Sequence, residues 1–227
     1  PQTRPGLQGI ALVMHVPADQ LDTFVARMRA QDQPSYQVRP EGERPVYAPL
    51  AFIEPLNEAN AATRGVDLAT NPIARAAMTR ASDSGALALS DGLRLAQDAP
   101  LGSAARPALV MYIPIYKPTL PVSTVAERQA ALLGWVSGPF RVHELIEALR
   151  PNLDGDIHIT IHQHTESGAR TLLYRSDEAD APPSKRHATR LMTFGGTQGT
   201  LLLTPQPAFA QRFATEGHGA IAWVGSA

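Results

Sequence analysis

An α+β fold with antiparallel sheets is the class this sequence predicts. Of its 227 residues, 44% are apolar and 18% charged, the composition of a folded globular chain. Twenty prolines punctuate the chain and argue against a helical bundle. Strand-length apolar runs bounded by turn residues outnumber the helical stretches. The length permits one large domain or two small ones around separate cores.

The elements follow in order. Residues 6–16, GLQGIALVMHV, alternate loosely and read as a strand that ends at Pro17. Leu21, Phe24, Val25 and Met28 recur at helical spacing, which predicts an amphipathic helix over 18–31 with Asp19 near its start. A short strand is expected at 36–39 and a turn at Glu41-Gly42. Residues 50–53 form a strand-like run into Glu54-Pro55, followed by an Asn/Ala-rich loop and then GVDL, with Asp67 between Val66 and Leu68. A helix over 72–82 stops at Ser84-Gly85, and a strand is expected at 86–90. Residues 98–107 read as a loop.

The run 108–116, ALVMYIPIY, is the strongest strand in the chain. An exposed Pro-rich excursion over 117–125 and the stretch 128–133 lead into a strand at 134–140, GWVSGPF. A helix at 142–149, VHELIEAL, is expected to bury Val142, Leu145, Ile146 and Leu149, either as packing between two units or as a lever joining them. Strands are expected at 157–164, 171–175, 190–194, 200–204 and 221–224. Between them fall a turn at 166–168, a loop at 177–184, a Gly-rich turn at Gly195-Gly196 and a short helix at 209–214. The result is two α+β units, 1–140 and 141–227, with the 142–149 helix at their joint.

Charge and composition exclude several functions. A net charge of −1, with no Lys/Arg cluster interleaved with aromatics, gives nucleic acid no electrostatic purchase. No cysteine is present, so disulfides, Cys-zinc sites and cysteine nucleophiles are ruled out. There is no GxSxG, GxGxxG or P-loop, and the turn GGTQG at 195–199 lacks the Lys of phosphate chemistry. No run of 18 apolar residues appears. The start at Pro1-Gln2-Thr3, without Met, reads as an excised fragment, so that absence carries little weight.

His158, Thr160, His162 and His164 alternate along one strand and share a face. The plainer reading is a solvent-facing polar side, with Ile157, Ile159 and Ile161 toward the core. A metal site would want a carboxylate at ligand spacing, and the strand holds none. Asp67 also has two readings on the residues alone. It is a cap for the helix after Thr70, or it is the polar point of a small-molecule pocket.

The 47–97 stretch, the ALVMYIPIYKP run and AERQAALLGWVSGPFRVHELIEAL together resemble the CHASE domain, over about residues 6–151. The resemblance rests most on YAP at 47–49, GVDL at 65–68, Gly85, PIY at 114–116 and GWVSGPF at 134–140. CHASE domains are extracytoplasmic sensor domains of bacterial receptors and of plant cytokinin-receptor histidine kinases. The resemblance implies two tandem PAS-like subdomains, the membrane-distal one holding the ligand, on an N-terminal stalk helix largely missing from this chain. It also implies flanking transmembrane helices, a homodimeric receptor in the inner membrane with its sensor in the periplasm or outside the cell, and a histidine kinase or diguanylate cyclase as output. The sensor itself would catalyse nothing and need no cofactor or metal.

In the plant receptors the Asp matching Asp67 hydrogen-bonds the adenine ring of cytokinin, and a main-chain group on a later strand completes the contact. Without a gap that group falls on Leu89. Between Tyr47 and Asp67 the chain is a few residues longer than the plant pattern, so the loop 57–64 has no residue-by-residue match. Pocket walls are expected from Phe52, Leu87, Leu89, Leu109, Met111, Ile113, Gly134 and Val136. With the opposite strand parity they come from Val110, Tyr112 and Trp135.

Overall fold

The computed structural model describes residues 5–31, 33–98, 107–149, 157–165, 168–176 and 187–206. They form an α+β structure with antiparallel sheets, consistent with a PAS-like fold. The expected helix at 209–214, the strand at 221–224, the 177–184 loop and most of the 98–107 loop lie outside the described residues.

A five-stranded sheet is ordered β4-β1-β7-β6-β5. Its members are β1 (Ile10–Met14), β4 (Leu50–Glu54), β5 (Ala88–Leu89), β6 (Leu109–Tyr116) and β7 (Leu132–Phe140). The register fixes two opposed rows. Tyr112, Ser137, Ala11 and Ile53 are successive cross-strand partners on one face. Ile113, Val136, Leu12 and Phe52 are the corresponding row on the other.

Helix α3 (Pro72–Ser84) covers the first face. Asn71 caps it by accepting from the Ile73 and Ala74 N–H groups, Pro72 opens it, and Gly85 ends it in a left-handed conformation. Its small side chains, Ala74, Ala77 and Ala81, let Met78 and the helix backbone come close to Val13, Val110, Tyr112 and Trp135. Trp135 Nε1 donates to the Met78 carbonyl oxygen at 3.0 Å, which satisfies the one polar atom of that indole. Helix α1 (Leu21–Ala30) packs Phe24 and Met28 against Tyr36, Tyr47 and Ala51, beside the two-residue strands β2 (Val16–Pro17) and β3 (Val46–Tyr47).

A four-stranded sheet is ordered β10-β11-β8-β9: β8 (Ile157–His164), β9 (Arg170–Arg175), β10 (Ala188–Phe194) and β11 (Thr197–Pro205). Its core gathers Ile159, Ile161, Leu173 and Tyr174 with Val142 of α5 (Val142–Leu149) and Leu109 of β6. Tyr174 donates to Glu147 at 2.7 Å.

Hydrogen bonds at two places also join the sheets among the described residues. The Leu89 N–H donates to the Gly195 carbonyl oxygen at 2.8 Å. Gln163, fully buried on β8, donates from Nε2 to the Ser90 carbonyl oxygen at 3.0 Å and accepts from the Gly92 N–H at 2.9 Å.

Several expectations are corrected. Residues 36–39 form no strand, only a bridge between Arg39 and Val66; Pro40, which has no N–H, follows at once. The 86–90 strand shrinks to Ala88–Leu89. Residues 57–61 are not loop but a cap and short helix, α2 (Glu58–Ala61), with Asn60 Nδ2 bonded to the Gln8 and Pro55 carbonyl oxygens. A helix, α4 (Val125–Ala131), precedes β7, opened by a capping box between Thr124 and Glu127. Leu149 is exposed rather than buried; α5 meets the core through Val142 and Ile146. His158 and Thr160 are buried, not solvent-facing: β8 lies between β9 and β11, and His158 Nδ1 meets Ser176 Oγ at 3.2 Å.

Candidate ligand-binding site

Asp67 stands where three pieces of chain converge. Gly65, at φ +79°, lets its loop press on the 37–39 segment; a Cβ there would lie 2.0 Å from the Gln37 carbonyl oxygen. The Asp67 N–H then donates to the Arg39 carbonyl oxygen at 2.7 Å. Its carboxylate is fully buried. Oδ1 accepts from the Ala48 N–H at 2.7 Å and the Ala69 N–H at 3.0 Å. Oδ2 faces Arg44 Nε at 3.2 Å, an ion pair without the alignment of a hydrogen bond. Arg44 in turn lies over the Tyr47 ring, 4.9 Å from its centre. The carboxylate thus caps the 3-10 turn Leu68–Thr70 and ties it to Ala48. Burial, with the Asp67 charge second, pushes the Tyr36 hydroxyl pKa well up.

A cavity of about 240 Å³ opens beside this acid. Its floor is the row Tyr112, Ser137, Ala11 and Ile53, flanked by Leu50, Val110 and Pro139. Its cover is the loop of Thr63 to Asn71, Ala74 of α3, and the segment of Leu93 to Gln97. The lining is mostly apolar with a few polar points, the ordinary chemistry of a small-molecule pocket. Tyr112 is 1% exposed, and burial raises its hydroxyl pKa.

The CHASE domain family model matches residues 1–174, most of the chain. The chain belongs to the CHASE domain family. CHASE domains are extracytoplasmic sensor domains of receptors, so its task is sensing rather than catalysis. The match runs past the five-stranded sheet through β8 and into β9.

The structure places the expected site residues of this CHASE domain unevenly. Asp67 lines the cavity. Phe52, Leu87 and Ile113 are each 39% exposed, and Met111 and Val136 share the outer face with Phe52 and Ile113. Leu109 is buried toward the four-stranded sheet. Gly134 sits where β7 crosses β1, and a Cβ would meet the Val13 carbonyl oxygen at 2.1 Å. Leu89 commits both main-chain groups, its N–H to Gly195 and its carbonyl oxygen to an Arg80 guanidinium N–H at 2.8 Å. The opposite parity is the one that faces the cavity: Val110 and Tyr112 line it, and Trp135 is buried on the same face.

Ser137, Ala11, Ile53 and the 93–97 segment were not anticipated. Ser137 did leave a signal, as the lone polar side chain in the strand GWVSGPF. Elsewhere, burial and then Lys117 lower the pKa of His15, which packs edge-on against Trp135. Among the described residues, no group of three or more His, Asp or Glu stands close enough to hold a metal ion.

Proposed function

We propose that this CHASE domain binds a compact, planar small molecule in the cavity beside Asp67 and transmits its occupancy across the membrane as a conformational shift. The observation that carries this reading is the cavity itself: it is a half-open, largely apolar space that no side chain of the described residues fills. A protein-interaction module would be expected to close such a space. At about 240 Å³ it is below the 300–1,000 Å³ usual for drug-sized ligands, which favours a single small ring system. Adenine and adenine-derived cytokinins are the first candidates, on the resemblance to the plant receptors. The five-stranded sheet is then the membrane-distal subdomain and the four-stranded sheet the proximal one, divided near residue 141. The receptor context is a homodimer in the inner membrane, with flanking transmembrane helices and a histidine kinase or diguanylate cyclase as output. A ligand biases such a receptor only through its different affinity for two states.

Calorimetric titration with adenine and isopentenyladenine tests the reading. Wild type should bind at least one saturably, and Val110→Phe, which fills the cavity from β6, should bind neither. Silence from wild type would remove the purine assignment. Undiminished binding by Val110→Phe would remove the site.

A second reading is a dimerisation or protein-binding module. It is favoured by the outer sheet face, where Phe52 and Ile113 stand partly exposed near Ile10, itself 48% exposed. Sedimentation of wild type and Phe52→Glu decides it: a wild-type dimer that the charge dissociates supports this reading, and an unchanged mass for both opposes it.

A further inference from the structure

The polar groups around the cavity divide into those already committed and those left open. Asp67 spends its carboxylate on Ala48, Ala69 and Arg44. The Thr63 hydroxyl donates to the Asn60 carbonyl oxygen and the Thr70 hydroxyl to that of Asp67. Asn71 Oδ1 caps α3. Among the described residues, Asp67 Oδ2 accepts no hydrogen bond and is held by Arg44 as an ion pair; the other groups hold the acid loop together.

The floor is different. Tyr112 and Ser137 are directly opposed cross-strand partners, 1% and 2% exposed, and both line the cavity. Among the described residues, neither hydroxyl has a hydrogen-bonding partner. Buried hydroxyls are ordinarily paired, so two that lack a protein partner and face the cavity are open to a partner within it, water or ligand. Phe and Ala would fit the apolar surroundings at these positions, so the two hydroxyls point to a partner inside the cavity.

We propose that the Tyr112–Ser137 hydroxyl pair, rather than the Asp67 carboxylate, makes the hydrogen bonds that select the ligand. The ligand is a compact neutral or anionic molecule with an apolar body and a hydrogen-bond acceptor, such as a ring nitrogen or carbonyl, turned toward the sheet. This rests on the cavity being the ligand site. Each hydroxyl has one proton to donate, Ser137 close to the sheet and Tyr112 a ring's length from its backbone, so together they read two points on the ligand. A cation is disfavoured because Arg44 already faces the buried acid and Arg94 stands exposed at the rim. Asp67 becomes a positioning residue that shapes the cover.

Three probes separate the possibilities: adenine, which carries acceptors; indene, a flat bicyclic hydrocarbon without them; and benzamidinium, a flat cation. Wild type is expected to bind adenine and neither of the others. Tyr112→Phe and Ser137→Ala should each weaken adenine about five- to tenfold, the effect of one lost hydrogen bond. The melting temperatures of both unliganded variants should equal or exceed that of wild type, because no protein bond is lost. Undiminished adenine binding by both variants would overturn the proposal. So would indene or benzamidinium binding as well as adenine, or a fall of several degrees in either variant's melting temperature. Should wild type ignore adenine, the purine reading fails separately. The melting comparison then decides the hydroxyl pair alone: unchanged or raised supports it, lowered refutes it.

Discussion

The Asp67 loop and the Tyr112–Ser137 row face each other across one cavity and handle their polar groups in opposite ways. In the loop, Asp67 Oδ1, the Thr63 and Thr70 hydroxyls and Asn71 Oδ1 bond to the protein, and Asp67 Oδ2 faces Arg44 in an ion pair. In the row, two buried hydroxyls bond to nothing among the described residues. Loops must satisfy their backbone with whatever side chains are near, and a short acid with two oxygens does this well. A sheet satisfies its backbone through the ladder, so its side chains are free to address a ligand. A conspicuous acid beside a cavity is therefore weaker grounds for a ligand contact than an inconspicuous hydroxyl within a strand.

The comparison breaks most visibly at Asp67. Asp67→Ala leaves the Ala48 and Ala69 N–H groups and Arg44 without their partner, and should cost about 3 kcal/mol in urea denaturation. A variant as stable as wild type would mean the carboxylate is not structural. Next in size is Gln163→Leu, which strips the Ser90 carbonyl oxygen and Gly92 N–H of their side-chain partners. A loss of about 2 kcal/mol is expected, together with faster hydrogen exchange at Gly92, immediately before the 93–97 wall. Unchanged exchange there would show that the four-stranded sheet does not hold this wall.

A smaller effect comes from pH. Burial lowers the pKa values of His15 and His162, helped by Lys117 at the first and by Arg170, Arg175 and His164 at the second. The unfolded chain, with histidines near pKa 6.5, then binds more protons than the folded one. Stability is fully present above about pH 6.5 and is lost as the pH falls below it. The melting temperature should drop between pH 7.5 and 5.5, and His162→Gln should lessen the drop. An equal drop in that variant would remove His162 from the account. The smallest expected change is the stability of Tyr112→Phe, within about 0.5 kcal/mol of wild type.

Much of the fold was legible in the sequence. The bounds of α5 and β8 match their expected ranges, because each is a clean periodic run between breakers. Helix α4 was missed although Thr124 and Glu127 spell its capping box; its exposed, proline-led approach reads as loop. The pocket side of β6 was not legible for a physical reason. LVMYIPIY is apolar on both faces, since one face meets α3 and the other carries Leu109 to the second sheet, so alternation marks neither. The fates of Asp67 and Leu89 were hidden in part. The capping side of Asp67 was open to view as a local pattern, but its bond to Ala48 and that of Leu89 to Gly195 join residues remote in sequence, and no local pattern announces those.

One titration bears most directly on the central claim: adenine into the Tyr112→Phe/Ser137→Ala double variant, beside wild type, after confirming that the variant melts no lower. The account predicts saturable heat from wild type and none measurable from the variant. Equal heat from both would contradict it.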